Sequence, residues 1–357
     1  MPNYALFCAL RDNFGTDDWG SWPTAISQRQ EGALIEWESK LREPIAKHIR
    51  VQAELFGAYQ ELRTLARNFD IALIGDFPFY LGMHSPLVWQ YQHLFDLDKN
   101  GIPQRVSGVP SGPKSHFGRQ VWGHPLYKWQ DKALWGQLRE LFRIRIRYLA
   151  GLFDWIRFDH AKGLFAYGVI DVDHLCSDKY LAGPGSDFLD ELIQFAMENK
   201  LQIYAEDTGE KLVALRQCLR ANSIPGIKIL RFAYNEKLNI FANTYLLTDK
   251  YPANTFAYTT THDTETLVGY LQSLSLSEVE KLAENMNIGK TKNLEELVIC
   301  MRQKVIDSPA KVVLVPIQDW LLSTDRINVP GSEKEVGDTN WQYKMSVPIE
   351  ELPMNIW

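Results

Sequence analysis

The stretch W-I-R-F-D-H, Trp155 to His160, decides how this chain is read. It is a short, largely apolar strand whose far end delivers Arg157, Asp159 and His160 together. Residues two apart on a strand point the same way, so Arg157 and Asp159 share a face, and the guanidinium keeps the neighbouring carboxylate ionised. Two more apolar runs stop in the same manner: L-Q-I-Y-A-E-D (Leu201 to Asp207) ends on Glu206 and Asp207, and F-A-Y-T-T-T-H-D (Phe256 to Asp263) ends on His262 and Asp263. A fourth, I-A-L-I-G-D, ends at Asp76. Polar groups gathered at the carboxyl ends of parallel strands form the active face of a (β/α)8 barrel.

Outward from these runs, strands are predicted near 154–159, 201–206, 226–232, 256–262 and 311–316, with helices between several of them, and this alternation implies parallel pairing. With the run ending at Asp76 the count is about six, fewer than a closed barrel needs. The predicted fold class is therefore α/β: a TIM-type barrel with helical insertions, incomplete, its first two strands missing. Residues 1–70 read as a mainly helical N-terminal segment, with one helical stretch from Glu31 to Phe69 interrupted by Pro44. Residues 71–263 carry the central strands and a long Gly/Pro-rich substrate loop at 77–125. Leu134, Leu138, Leu141 and Phe142 mark a helix inside 126–153. Residues 264–310 read as a helical insertion whose helix starts are the capping pairs Ser277/Glu280 and Asn293/Glu296, and 311–357 as the last strand and a C-terminal loop.

Composition narrows the function classes. A net charge of −6 over 357 residues leaves no basic footprint for nucleic acid, and no block of like charge suggests a membrane-surface arm. No apolar run reaches the roughly 18 residues of a membrane span, and the first residues do not resemble a signal peptide. Cys8, Cys176, Cys218 and Cys300 are scattered without C-x-x-C pairing, so free thiols in a reducing compartment are expected, and with them a cytoplasmic protein. The 11 Trp and 15 Tyr suit sugar faces, and equally suit an ordinary core.

In order along the chain, G-D-F-P-F-Y (75–80), R-F-D-H (157–160), A-E-D-T-G (205–209), P-G-I-K-I-L-R-F (225–232), T-H-D (261–263) and R-I-N-V-P-G (326–331) resemble the amylomaltases, the 4-α-glucanotransferases of the α-amylase clan. The resemblance runs over nearly the whole chain. It implies transfer of α-1,4-glucan segments between maltodextrins by retaining double displacement, with no metal or organic cofactor. Asp159 matches the family's nucleophile, Glu206 its general acid/base and Asp263 the carboxylate that stabilises the transition state. Retention calls for nucleophile and acid carboxyls about 5–5.5 Å apart, and the apolar strand leading to Glu206 suits the raised pKa of an acid. The resemblance also assigns Arg157, His160, His262, Gln120, Trp122 and Asn328 to substrate binding, while Asp76 and Asp207 read as structural anchors.

The chain departs from the family pattern at Leu87, in P-S-G-P-K-S-H-F (110–117), at Thr264 and around 247–251. A longer N-terminal portion usual in the family, including the first two strands, has no counterpart, so a partner chain or self-association is expected to cover the open barrel edge. Two rival readings stand beside the transferase. One is a catalytically inactive glucan-binding or scaffold remnant. The other is a metal-dependent hydrolase using Asp76, Asp159, His160, His262 and Asp263, which lacks the paired-histidine spacing such sites generally show.

Overall fold

The computed structural model describes residues 2–110, 118–171, 178–209, 212–235, 239–331 and 340–352. Cys176 and the 111–117 part of the departing P-S-G-P-K-S-H-F stretch lie outside them. The chain divides into two units: Met1–Gly112, Val121–Ile203 and Val213–Cys218 form the first, and Pro113–Gln120, Tyr204–Leu212 and Leu219–Trp357 the second.

The first unit holds β1 (Ile74–Phe77), β2 (Arg105–Val109), β3 (Gln120–Pro125, from Val121 on), β4 (Trp155–Phe158), β5 (Ala166–Asp171) and β6 (Lys179–Ala182). β1 and β4 pair in parallel with Asp76 opposite Arg157, so the ends of both strands are in register. Next comes β7 (Gln202–Ala205), where Gln202 N–H donates to Asp154 O at 3.0 Å, and the chain leaves the first unit inside this strand. A separate sheet runs in the order β3-β2-β5-β6, with β5 antiparallel to both β2 and β6. The second unit continues with β8 (Gly226–Ile229), the short antiparallel pair β9 (Tyr234–Asn235) and β10 (Ile240–Phe241), then β11 (Thr255–Tyr258) and β12 (Val312–Leu314). β8, β11 and β12 are parallel, with β11 central. Strands and helices alternate, which makes this an α/β fold.

Apolar burial fixes these elements. Helix Trp135–Ala150 buries Leu138, Leu141, Phe142 and Ile146 at helical spacing, and Phe142 meets Phe77 and Phe79 at ring distances of 5.7 and 6.0 Å. Its Arg145 is also buried, donating to the carbonyls of Pro78 and Phe79, which fixes the chain just after β1. In the second unit Tyr204 stacks on Phe256 at 3.9 Å, and Ala257, next along β11, belongs to a buried cluster that includes Leu267, Leu271, Leu282, Val298 and Met301.

Three expectations need correction. The segment 77–125 is not one irregular loop: it contains helix Pro86–Gln90, capped by Ser85, and the strands β2 and β3. The strands expected over 226–232 and 256–262 are shorter, because a 3-10 turn at Leu230–Ala233 and a threonine-rich turn after Tyr258 take over. The capping box belongs to Ser275 and Glu278 rather than Ser277 and Glu280: the earlier of two overlapping Ser-x-x-Glu frames adds half a turn of helix at the same cap. Asn293 caps helix Leu294–Ile306 as expected, accepting from Glu296 N–H at 2.9 Å.

Candidate active site

Each of the three carboxylates follows a strand, and all three are half-buried. Asp159 comes directly after β4, Glu206 directly after β7, and Asp263 five residues after β11.

In the first unit Arg157 is buried, and its guanidinium forks between two carboxylates. Nε donates to Asp76 at 2.9 Å across the β1–β4 register, and Nη2 donates to Asp159. The expected Arg157–Asp159 pair thus exists, and Asp76 is its second anchor. His160 takes a left-handed conformation, φ +43°, which turns the chain sharply after Asp159. Strain of that kind in a non-glycine residue persists only where surrounding packing dictates it. The packing is aromatic: Trp122 meets the His160 ring edge-on at 4.9 Å, and Tyr80 lies 5.8 Å from it. Tyr80 also stacks flat on His124, 5.7 Å away at 5°. His124 Nδ1 is 2.9 Å from Ser107 Oγ, and burial pushes the His124 pKa down to about 4. Gln120, the first residue of β3, is assigned to the second unit, and its side chain is half-buried.

In the second unit Glu206 Oε1 accepts from Thr208 Oγ1 at 2.7 Å. Its flanks are pinned: Ala205 N–H donates to Pro225 O, and buried Asp207 accepts from Ile227 N–H, both at 2.9 Å. Asp207 is the structural anchor expected of it. Gly226 makes room for that carboxylate, because a Cβ there would stand 2.7 Å from Asp207 Oδ1.

Asp263 sits in a turn that threonines build. Thr261 N–H donates to Thr264 Oγ1 at 3.0 Å and Asp263 N–H to Thr261 Oγ1 at 3.3 Å, so the departure at Thr264 still supplies the turn's hydroxyl. Thr259 and Thr260 hydroxyls donate to buried Asp319 at 2.5 and 2.6 Å, anchoring the same segment from behind. In front, Asn328 Nδ2 donates to Asp263 Oδ1 at 2.7 Å, and His262 Nε2 lies 3.1 Å from Oδ2.

The structure brings together Arg157 with Asp159, Trp122 with His160, and His262 with Asp263 and Asn328. Sequence reasoning missed Tyr80, Asp319 and an Arg326–Glu265–Arg231 chain. Arg326 donates to Asp263 O and to Glu265 Oε1, each at 2.8 Å, and Arg231 donates to Glu265 at 3.0 Å. Burial alone would raise the Glu265 pKa; the charges of Arg231 and Arg326 override it and hold the carboxyl below its ordinary value. Arg326 and Arg231 were visible in R-I-N-V-P-G and P-G-I-K-I-L-R-F, but nothing in the spacing said that both reach one carboxylate. Among the described residues no group of three or more His, Cys, Asp or Glu is placed to hold a metal.

The family model described as 4-alpha-glucanotransferase matches residues 1–350. The chloroplastic/amyloplastic 4-alpha-glucanotransferase of Solanum tuberosum is 30% identical, covering 99% of this chain and 59% of its own length. That of Thermus thermophilus is 31% identical, covering 97% of this chain and 68% of its own. The chain thus spans about three fifths of the length of the plant relatives it matches. Among solved structures, the amylomaltase of Streptococcus agalactiae in complex with acarbose superposes with a TM-score of 0.85 at 27% identity, over 99% of this chain and 69% of that one. The amylomaltase of Corynebacterium glutamicum, at 17% identity and a TM-score of 0.65, shares the fold. With a family match over nearly its full length and relatives of this identity, the chain belongs to the 4-alpha-glucanotransferase family.

Proposed function

We propose that the protein is a retaining 4-α-glucanotransferase acting on maltodextrins. The observation that carries the reading is that each family carboxylate lies just beyond the end of a strand, held by its own partners: Asp159 by Arg157, Glu206 by Thr208, Asp263 by Asn328 and His262. In the first step the Asp159 carboxylate attacks the anomeric carbon while Glu206 gives its proton to the leaving glycosidic oxygen. In the second step an acceptor 4-hydroxyl yields its proton to Glu206 and attacks the same carbon, releasing Asp159. Asp263 grips ring hydroxyls more tightly as the sugar flattens toward an oxocarbenium ion. Arg157, His160, His262, Gln120, Trp122 and Asn328 line the glucan path. No step calls for a metal or organic cofactor.

The finer architectural reading is a (β/α)8 barrel, with a substrate-binding segment at 77–125 that carries its own helix and strands, a helical insertion at 264–310 and the last strand after 311. Two facts support it: the parallel pairing of β1 with β4 and of β8, β11 and β12, and β1, which pairs only with β4 among the described residues. An unpaired edge of this kind invites a partner chain or a second copy. Free Cys8 and Cys300 suit a cytoplasmic setting.

Incubation of the purified protein with maltotriose tests the activity. Transfer gives glucose and a ladder of longer maltodextrins; glucose and maltose without longer products mean hydrolysis, and unchanged maltotriose overturns the reading. Roles separate with α-maltotriosyl fluoride, whose fluoride leaves without a proton. Glu206→Gln should accumulate an adduct on Asp159 visible by mass spectrometry, and Asp159→Asn should form none.

A further inference from the structure

Among the described tryptophans Trp341 is the exposed one: Trp19, Trp22, Trp89 and Trp129 are at most 4% exposed, Trp37, Trp122, Trp135, Trp155 and Trp320 are half-buried, and Trp341 is 64% exposed. A singly exposed apolar side chain is ordinary; what sets this one apart is that its backbone is fixed beside the His262–Asp263 pair. Trp341 is held. Its backbone N–H donates to Ile327 O at 2.8 Å, and its backbone is left-handed at φ +61°, a conformation that a bulky residue adopts only under constraint. The preceding Asn340 accepts from Val329 N–H at 2.9 Å through its side chain. One residue along, Asn328 N–H donates to His262 O at 3.0 Å. Residues 340–341 are therefore stitched to 327–329, which are stitched to 262–263.

The indole ring ends up 5.1 Å from the His262 ring at 42°, and His262 Nε2 is 3.1 Å from the Asp263 carboxylate. His262 and Asp263 are themselves half-buried, so an exposed flat ring stands two side chains away from a carboxylate that is open to a ligand. We infer that Trp341 is a stacking platform for a glucose unit of an α-1,4-glucan, a sugar contact beside the His262–Asp263 pair; this rests on the transferase reading of that pair. A pyranose presents a flat apolar face and hydroxyls at its rim, so the face covers the indole while the rim hydroxyls reach toward His262 and Asp263. The loss of water from both apolar faces favours binding, and the pinned backbone means that little ordering entropy is spent on association.

Trp341→Ala is expected to raise the KM for maltoheptaose about tenfold, equivalent to about 1.4 kcal/mol, while the saturated rate changes by less than about twofold. Trp341→Leu, which keeps apolar bulk but no flat face, is expected to do the same and decides the matter if the alanine variant does not fold. Unchanged KM in either variant overturns the platform. So does a fall in kcat with KM unchanged, which would make Trp341 only a positioning residue for the Asn328 segment. Titration calorimetry with maltoheptaose separates this from the activity: weakened binding in the variants of a protein that binds but shows no turnover supports the platform and refutes the transferase. Wild-type protein that neither binds nor turns over maltoheptaose overturns both.

Discussion

Asn328 Nδ2 donates to Asp263 Oδ1 at 2.7 Å while Asn328 N–H donates to His262 O at 3.0 Å, so one residue fixes both the carboxylate and the backbone beside it. A hydrogen bond to a charged group contributes about 1.5–3 kcal/mol. Asn328→Ala should therefore lower kcat for maltotriose disproportionation by about ten- to a hundredfold, with the fold intact by circular dichroism. A rate within twofold of wild type would mean that this bond is idle in the reaction.

Arg157 reaches two carboxylates because guanidinium nitrogens diverge in a plane. A lysine has a single ammonium and holds one of them at a time. Arg157→Lys is expected to cut kcat by about ten- to a hundredfold, through loss of one charge-assisted bond. Adduct formation from α-maltotriosyl fluoride should slow in parallel, because the fluoride reports the Asp159 step alone. A normal adduct rate in a slow enzyme would place the role of Arg157 elsewhere.

His124 predicts a pH dependence of stability. Burial holds its pKa at about 4 in the folded state, against about 6.5 in the unfolded chain. Between those values the unfolded chain binds a proton that the folded protein does not, so stability is lost as pH falls through this window. The slope is up to about 1.4 kcal/mol per pH unit, and the contribution is fully present above pH of about 6.5. His124→Gln keeps an acceptor for the Ser107 hydroxyl and removes the titration. Urea unfolding of the two proteins between neutral pH and pH of about 4.5 should show a shallower decline for the variant; parallel curves would count against a buried neutral His124.

Asp319, fully buried, accepts from Thr259, Thr260 and Leu267 N–H, and burial raises its pKa despite those three donors. Asp319→Ala would strand all of them away from water, and each unsatisfied group costs about 1–3 kcal/mol. A loss of at least about 3 kcal/mol in urea unfolding is expected, together with weaker glucan transfer, since the anchored threonines lead into Thr261, His262 and Asp263. A loss below about 1 kcal/mol would show that the cluster relaxes around the gap.

Much of this was legible from residue types alone. The parallel strands announced themselves as apolar runs halted by polar residues, and their register put Asp76 opposite Arg157. The sheet formed by β2, β3, β5 and β6 was hidden because glycine reads as a turn signal. Here glycine serves close approach: a Cβ on Gly168 would stand 2.0 Å from Gly108 O, so these positions need a missing side chain and not a bend. Tryptophan abundance was equally ambiguous, and Trp19 and Trp89 proved to be core, donating to Met83 O and Ile26 O through their ring nitrogens. The ion chain from Arg326 to Arg231 was invisible for a different reason: residues so distant in sequence meet only after the chain has folded.

The left-handed backbone at His160 narrows what evolution or a mutagenesis library can place beside the nucleophile candidate. Glycine, asparagine and aspartate tolerate that geometry, whereas valine, isoleucine and threonine pay steric strain before any question of sugar recognition arises. A saturation screen at this codon would thus report first on chain geometry, and variation among active clones would be sparse for reasons that have nothing to do with imidazole chemistry.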